Sequence, residues 1–144
     1  MEIERKFLVT VLPNLTKTLS YTIEQHYLSY EPEVRLRLIN DVRCVLTIKS
    51  NGNLARREVD IIIPRNKYDE LFKMSIGNMI YKRRYEILKE PYKFEIDVFI
   101  NRSLILVEVE FNSEDEANNF VPPDWFGEEV TYEPKYKNQY LARN

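Results

Sequence analysis

The sequence predicts an α+β protein that is mainly β, with one antiparallel sheet of about eight strands and a few short helices. Charged and apolar residues alternate over most of the chain, which is typical of strands with one polar and one apolar face. Turn signals, Asn40-Asp41 and Asn51-Gly52-Asn53, separate consecutive segments, so neighbouring strands form hairpins. A sheet of this size either curls into a barrel or splits into layers.

The predicted strands follow one another at short intervals. They cover residues 2–9, 21–29, 34–39, 43–49, 54–63, 79–87, 92–100 and 104–111. Helical signals are few. Pro64 precedes a helical spacing around Tyr68, and Ser113 is a helix cap followed by an acidic first turn. Residues 133–143 predict a final helix that starts near Pro134.

The composition excludes several classes of function. The 144 residues include 21 Lys and Arg against 23 Asp and Glu, and the net charge of −2 argues against a nucleic-acid-binding surface. Three well-separated glycines exclude the clustered glycines of a Walker loop or a dinucleotide-binding loop. One cysteine and one histidine exclude internal disulfides, thiolate clusters and histidine-rich metal sites. Any catalysis must therefore use carboxylates, lysines, arginines and hydroxyls.

Localisation follows from the same kind of reading. The N-terminal residues lack the apolar stretch of a signal peptide, and no window approaches the length of a membrane span. A single free thiol fits a reducing compartment. We therefore expect a cytoplasmic protein with no membrane partner.

Charges of one sign are sorted by strand. Two strands carry basic pairs and two carry acidic pairs at a spacing of two residues: Arg35 with Arg37, Lys82 with Arg84, Glu2 with Glu4, and Glu108 with Glu110. Carboxylates at this spacing lie about 7 Å apart on one face, where their repulsion favours a bound cation such as Mg²⁺ or Mn²⁺. Basic pairs suit phosphate oxygens. A solvent-exposed face without chemistry is the plain alternative. The sorting of charges by strand weakens that alternative and fits phosphoryl transfer, but the pattern alone leaves both interpretations open.

Several motifs then follow one another along nearly the whole chain. They are Glu2-Ile-Glu-Arg-Lys6, Gln25-His-Tyr-Leu28, Val34-Arg-Leu-Arg37, Thr47-Ile-Lys49, Arg56-Arg-Glu-Val-Asp60, Lys82-Arg-Arg84, Phe94-Glu-Ile-Asp-Val-Phe99, Val107-Glu-Val-Glu110, residues 125–131 and Tyr136-Lys-Asn138. In this order they resemble the CYTH family, also called triphosphate tunnel metalloenzymes. Its members include inorganic tripolyphosphatases, thiamine triphosphatase, class IV adenylate cyclases and fungal-type RNA triphosphatases.

The resemblance implies one CYTH domain over residues 1–144. In it, eight antiparallel strands close into a barrel, the triphosphate tunnel, with flanking and plugging helices. The charged strand faces would point into the tunnel and the apolar faces would pack outward. The alternation alone leaves that choice open.

The resemblance also assigns roles to residues. It implies metal binding by Glu2, Glu4 and Glu110, with Glu108 at the same acidic end. It implies catalytic roles for Glu58, Asp97 and Lys82, and a triphosphate cradle made of Lys6, Arg35, Arg37, Lys49, Arg56, Lys82 and Arg84. Lys135, in the plug helix, would also reach the substrate. Asp60 stands where the family has glutamate, which shortens that carboxylate arm.

We therefore expect a divalent-metal-dependent hydrolase that cleaves the terminal phosphate of inorganic tripolyphosphate or a nucleoside triphosphate. Two alternatives remain at this point: a class IV-type adenylate cyclase that converts ATP to cyclic AMP, and a non-catalytic polyphosphate- or nucleotide-binding module. The expected partner is a triphosphate-containing small molecule and not a nucleic acid. Tyr81, Arg83 and Tyr85, on an outward face, suggest a homodimer contact.

Overall fold

The computed structural model describes residues 1–52 and 54–144, and its strands form one antiparallel sheet. The strands are β1 (Glu2–Val9), β2 (Leu19–Ser29), β3 (Glu33–Ile39), β4 (Arg43–Lys49), β5 (Ala55–Arg56), β6 (Glu58–Ile62), β7 (Ile76–Lys89), β8 (Tyr92–Phe99), β9 (Ile105–Phe111) and β10 (Phe126–Glu129). The helices are α1 (Arg65–Phe72), α2 (Glu114–Asn119) and α3 (Asn138–Arg143), with a 3-10 turn at Pro134–Tyr136. The predicted mainly β class is confirmed.

The sheet closes on itself at β1. One edge of β1 pairs with β9, and the other edge is shared by β5, where Glu2 lies opposite Arg56, and by β10, where Phe7 lies opposite Glu129. From β9 the sheet continues in the order β8, β7, β2, β3, β4 and β6. Only Arg57 separates β5 from β6. Counted as one strand, these two complete a nearly closed ring of eight strands, and the predicted barrel is confirmed.

The alternation along each strand separates a charged interior from an apolar exterior. In β3, Arg35 and Arg37 face the lumen. Leu36 and Leu38 face outward, where α1 covers them with Tyr68. Burial of each such side chain stabilises the fold by about 1.5–3 kcal/mol. Helix α1 is thus held by the outside of the barrel, and this part of the lumen is left to the polar side chains.

A second apolar cluster covers β1, β8 and β9. Phe120, which follows α2, packs among Phe7, Phe94 and Phe126, and the rings of Phe7 and Phe126 lie 4.9 Å apart. Tilted and edge-to-face rings of this kind add to the energy of burial. Ser113 caps α2 as predicted, because its Oγ accepts a hydrogen bond from the Glu116 backbone at 3.1 Å. The acidic strands are thereby fixed from outside.

The C-terminal helix plugs one end of the barrel. Leu141 and Ala142 of α3 pack against lumen-facing apolar residues of the surrounding strands, namely Tyr27, Ile80, Phe99 and Leu106. The charged part of the lumen therefore ends at an apolar floor. No helix among the described residues is both long and apolar enough to cross a membrane.

Several local features differ from the sequence prediction. The single strand expected over residues 54–63 is interrupted at Arg57, whose backbone N–H donates to Ser50 Oγ at 2.9 Å instead of joining the ladder. The tail forms two helical pieces, since Lys137 is extended between them. Strand β10 was not predicted. The Asn40-Asp41 turn is confirmed by positive φ angles of 53° and 61°, whereas Asn53 of the next predicted turn lies outside the described residues.

Candidate active site

The lumen contains a cavity of about 180 Å³ whose walls are almost entirely charged. Its carboxylates and cations are nearly balanced in number. The acidic lining residues are Glu2, Glu4, Glu33, Glu58, Asp60, Glu95, Glu108 and Glu110. The basic ones are Lys6, Arg35, Arg37, Lys49, Arg56, Arg84 and Lys137, and Tyr27 and Asn138 complete the lining. What the cavity can bind therefore depends on where each sign lies.

Most carboxylates come from three adjacent strands, β1, β9 and β8. We call their lumen-facing carboxylates the acidic wall: Glu2, Glu4, Glu95, Asp97, Glu108 and Glu110. The strand register explains the grouping, because Glu4 lies opposite Glu110, and Glu108 lies opposite Glu95. Lys6 interrupts this wall, with its Nζ 3.7 Å from Glu108 Oε1.

Like charges are most crowded around Glu4. Burial, together with the neighbouring Glu108 and Glu2, raises the pKa of Glu4 to about 8. Burial and Glu2 also raise the pKa of Glu110. Burial would raise the pKa of Glu108 as well, but Lys6 and Arg84 outweigh it and hold that pKa well below its ordinary value. This part of the wall therefore has surplus negative charge that a bound cation would neutralise.

The acidic wall fits a hard divalent cation in charge and in ligand type, since Mg²⁺ and Mn²⁺ prefer carboxylate oxygens. Across residues 1–52 and 54–144, however, no three acidic, histidine or cysteine side chains are gathered as a formed metal centre. Glu2 instead accepts a hydrogen bond from Lys49 Nζ at 2.8 Å. Metal binding by Glu2, Glu4, Glu108 and Glu110 would therefore require ion pairs to exchange.

The opposite side of the lumen is built from β3, β4 and β7. We call its cations the basic wall: Arg35, Arg37, Lys49, Lys82 and Arg84. Most of them have a carboxylate partner, as when Arg35 Nη1 donates to Glu33 Oε2 at 3.2 Å.

Arg37 is the exception on the basic wall. It forms no salt bridge with any described carboxylate, and its Nε donates to Gln25 Oε1 at 2.7 Å. Burial, with repulsion from Arg35 and Arg84, lowers the pKa of Arg37 to about 10. Arg37 therefore remains charged at neutral pH, and it points a guanidinium without a counter-ion into the cavity. Such a group suits a phosphate oxygen.

The two walls meet at the seam between β7 and β8. Asp97 accepts hydrogen bonds from Arg84 Nε and Nη2 at 2.7 and 2.8 Å, and from Lys82 Nζ at 2.7 Å. Burial, which outweighs the attraction of Asp97, lowers the pKa of Lys82 to about 7. Arg84 and Lys82 overcome the effect of burial on Asp97 and lower its pKa. Neither Lys82 nor Asp97 lines the cavity, so this pair lies behind Arg84.

A second seam joins β1 to β4 and β5. Lys49 Nζ lies 2.8 Å from Glu2 and 3.3 Å from Glu58, and Arg56 Nη1 lies 3.3 Å from Glu33. At this seam, carboxylates form ion pairs with Lys49 and Arg56, two cations that the resemblance assigns to phosphate binding. Many of the lumen charges are thus paired with one another, whereas Arg37 and Lys137 form no salt bridge with a described carboxylate.

The structure brings most of the predicted site residues together. All four predicted metal ligands line the cavity, as do the predicted cradle residues except Lys82. Of the predicted catalytic residues, Glu58 lines the cavity, whereas Asp97 and Lys82 are 1% and 0% exposed and bind each other. Their chemical roles stay predictions.

Sequence reasoning missed five lining residues and misplaced one. Glu33 shares the strand parity of Arg35, and Glu95 shares that of Asp97, so the alternation could have found them. Tyr27 lies opposite Arg35 in the neighbouring strand. Lys137 and Asn138 carry no such signal. Lys135, expected at the substrate, is exposed and lies over the Tyr136 ring, and Lys137 occupies the lumen instead. The break between the 3-10 turn and α3 explains this shift.

Comparison with known proteins places these features in context. No protein-family model matches the chain. It is 42% identical over 146 residues to a protein named inorganic triphosphatase from Nitrosomonas europaea, covering 98% of this chain and 96% of that protein. It is 32% identical over 149 residues to an inorganic triphosphatase from Acetivibrio thermocellus, covering 99% of this chain and 94% of that protein.

Solved structures agree with this relationship. The crystal structure of the inorganic triphosphatase NE1496 superposes with a TM-score of 0.73 at 39% identity, covering 100% of this chain and 95% of that chain. A putative adenylate cyclase from Bacillus halodurans superposes with a TM-score of 0.56 at 16% identity, over 82% of this chain and 84% of that one, and shares the fold alone. With full-length relatives, ordered motifs and a charged barrel lumen, the chain belongs to the CYTH family of triphosphate tunnel metalloenzymes.

Proposed function

We propose that this protein is a divalent-metal-dependent hydrolase that releases orthophosphate from the end of inorganic tripolyphosphate or a nucleoside triphosphate. The observation that carries the proposal is Arg37, a cation in the lumen with no carboxylate partner among the described residues. Two full-length relatives named inorganic triphosphatase support it. The family is generally metal-dependent, and Mg²⁺ or Mn²⁺ suits the carboxylates of this chain.

In this proposal the basic wall binds the substrate. Arg35, Arg37 and Arg84 hold the phosphate oxygens with their guanidinium forks, and Lys49 and Lys6 add charge along the chain of phosphates. Arg56 and Lys137 approach from β5 and from the C-terminal segment. The positions of these side chains on rigid strands supply the orientation that phosphoryl transfer depends on.

The acidic wall supplies the site for the metal. Glu2, Glu4 and Glu110 would hold it, with Glu108 beside them, and the bound ion would supply charge neutralisation and Lewis acidity at the terminal phosphoryl group. Glu58 lies at the cavity and can accept the proton of the water that attacks the terminal phosphorus. As the new P–O bond forms, the bond to the bridging oxygen breaks, and the leaving group is pyrophosphate from tripolyphosphate or the nucleoside diphosphate from a nucleoside triphosphate. Asp97 acts indirectly, because Arg84 and Lys82 occupy both of its oxygens.

Phosphate release from tripolyphosphate, ATP, GTP and thiamine triphosphate, each with Mg²⁺ or Mn²⁺, tests the proposal. We expect turnover only with metal, and loss of nearly all of it in Glu4→Ala and Arg84→Ala while the barrel stays folded. Full activity in either variant would contradict the assignment. Cyclic AMP and pyrophosphate from ATP would instead indicate a cyclase, and tight binding without turnover would indicate a binding module. The charged lining of the described cavity offers no apolar pocket for adenine.

Partners, domain organisation and location are proposed on separate grounds. We propose no nucleic-acid or membrane partner, because the paired basic residues face the lumen, and we treat residues 1–144 as one domain. The single buried thiol, Cys44, favours the cytoplasm.

Tyr81, Arg83 and Tyr85 lie half-buried on the outward face of β7, and we propose this face as the contact of a homodimer. Light scattering of the wild type and of Tyr81→Asp tests this, and a monomeric wild type would exclude the dimer.

A further inference from the structure

Gln25 is a buried polar residue that the function proposed above does not use. Its side chain lies in β2, is fully buried and does not line the cavity. It bonds to two residues that do line it. Arg37 Nε donates to Gln25 Oε1 at 2.7 Å, and Gln25 Nε2 donates to the Tyr27 hydroxyl at 2.9 Å. Gln25 therefore connects an arginine and a tyrosine from behind the lumen wall.

The chemistry of the three groups fixes the direction of this chain. A guanidinium can only donate, so the Gln25 carbonyl must face Arg37 and its NH₂ must face Tyr27. The Tyr27 oxygen then accepts, and its own hydrogen must point away from Gln25. The Arg35 guanidinium beside the Tyr27 hydroxyl is also only a donor. Within the described residues, the hydroxyl donates to no side chain, and since Tyr27 lines the cavity, its hydrogen is available to a ligand there.

Burial and nearby charge fix the protonation state of the Tyr27 hydroxyl. Burial and nearby Glu33 raise the pKa of Tyr27, so the hydroxyl stays protonated and remains a donor. Arg37 uses only Nε for Gln25, which leaves both of its Nη groups for a ligand. Arg37 and Tyr27 thus both line the same cavity, and both are held from behind by Gln25.

We propose that Gln25 is a positioning residue of the triphosphate site, which aims the Arg37 guanidinium and the Tyr27 hydroxyl as donors toward one phosphate group. This rests on the proposed function and adds Tyr27 as a ligand of the substrate. A neutral amide is required. A carboxylate at this position would pair with Arg37 and would accept the hydrogen of Tyr27, so both donors would turn away from the cavity.

Two variants separate positioning from packing. Tripolyphosphate affinity is measured by calorimetry in EDTA, so that neither metal nor turnover contributes. Gln25→Glu has the same shape as the wild-type side chain, and we expect it to weaken binding about 10- to 100-fold. Gln25→Met removes both hydrogen bonds but leaves Arg37 without a counter-ion, so a smaller loss is expected. A purely structural role predicts the reverse order, because the glutamate variant is closer in shape.

The matched control lies next to Gln25 on the opposite face of β2. Glu24→Gln makes the reverse change outside the barrel, where Glu24 contacts Tyr68, and it should bind tripolyphosphate like the wild type. In a Tyr27→Phe background, Gln25→Met should weaken tripolyphosphate binding less than it does in the wild type. The reason is that the contribution of Gln25 through the Tyr27 hydroxyl is already absent. With metal, the Gln25→Glu effect should fall mainly on KM.

Two outcomes overturn the proposal in distinguishable ways. If the wild type binds and hydrolyses tripolyphosphate but Gln25→Glu binds as well as the wild type, or better than Gln25→Met, the positioning role is wrong and the hydrolase assignment stands. If the wild type neither binds tripolyphosphate in EDTA nor releases phosphate with metal, both the proposed function and the role of Gln25 fall together.

Discussion

Each wall takes its charges from three strands, but the acidic wall crowds its carboxylates around Glu4, whereas the basic wall pairs all its cations except Arg37 with carboxylates. Both walls face the same small cavity, and most of their side chains are buried or half-buried, whereas Glu110 is exposed. This difference indicates which parts of the lumen carry charge that a bound ligand would balance. On the acidic wall, the carboxylates around Glu4 lack enough positive charge nearby to balance them. On the basic wall, Arg37 alone has no carboxylate partner among the described residues. A cation bound at the acidic wall and a polyanion bound at the basic wall would together neutralise both charges.

The largest expected effect concerns the seam where the two walls touch. Asp97→Asn leaves Lys82 and Arg84 buried without their shared carboxylate, and it should destabilise the protein by about 3–5 kcal/mol. Urea unfolding measures this loss. Adding Lys82→Met should recover part of it, since one uncompensated cation is then removed. An unchanged unfolding midpoint in Asp97→Asn would show that the seam does not hold the walls together.

Arg37 and Arg35 offer a comparison within the basic wall. Arg37→Gln removes an unpaired cation and keeps a donor for Gln25, so the free protein should gain about 1 kcal/mol of stability while losing at least about tenfold in tripolyphosphate affinity. Arg35→Gln should destabilise the protein, because Glu33 loses one of its two cationic partners and keeps only Arg56. Thermal unfolding with and without tripolyphosphate measures both. Equal changes in the two variants would contradict the distinction between a paired and an unpaired arginine.

A smaller effect is expected from the titration of the acidic wall. The pKa of Glu4 is raised from 4.5 to about 8, so the folded state binds its proton more tightly than the unfolded state does. This contribution to stability is complete below pH 4.5 and is lost as the pH rises through about 8. With a chelator present, the stability of Glu4→Gln relative to the wild type should therefore increase as the pH rises from 4.5 to about 8. Denaturation at several pH values measures this difference. A constant difference between the two proteins would rule out the raised pKa.

The smallest effect is expected outside the barrel. Arg65 and Asp69 form an exposed ion pair on α1, with 3.2 Å between Nε and Oδ1. Water screens such a pair, so Asp69→Asn should change neither the melting temperature nor phosphate release measurably. A clear loss of activity would mean that charges on the outer surface reach the lumen, and the contrast between the inside and outside of the barrel would need revision.

The parts of this structure that follow from local pattern could be predicted from the sequence. Strict alternation in β3 places Arg35 and Arg37 on one face whatever the fold, and the motif order indicates that this face is the lumen. What escaped prediction depends on contacts distant in sequence. Lys82 has the same parity as Arg84, but bonding to Asp97 keeps it out of the cavity. Lys137 reaches the lumen only because the chain is extended between the 3-10 turn and α3.

The pairing of β1 has a consequence for how the chain is made. Its partners β5, β9 and β10 all lie downstream, and the last of them ends at Glu129. During synthesis the short β5 can pair with one edge of β1 early, but the edge that pairs with β9 must wait until most of the chain has emerged from the ribosome. Contacts of such sequence separation slow folding and expose strand edges to aggregation in the meantime. The charged residues Glu2, Glu4 and Lys6 would then act as gatekeepers that keep the waiting strand from self-association.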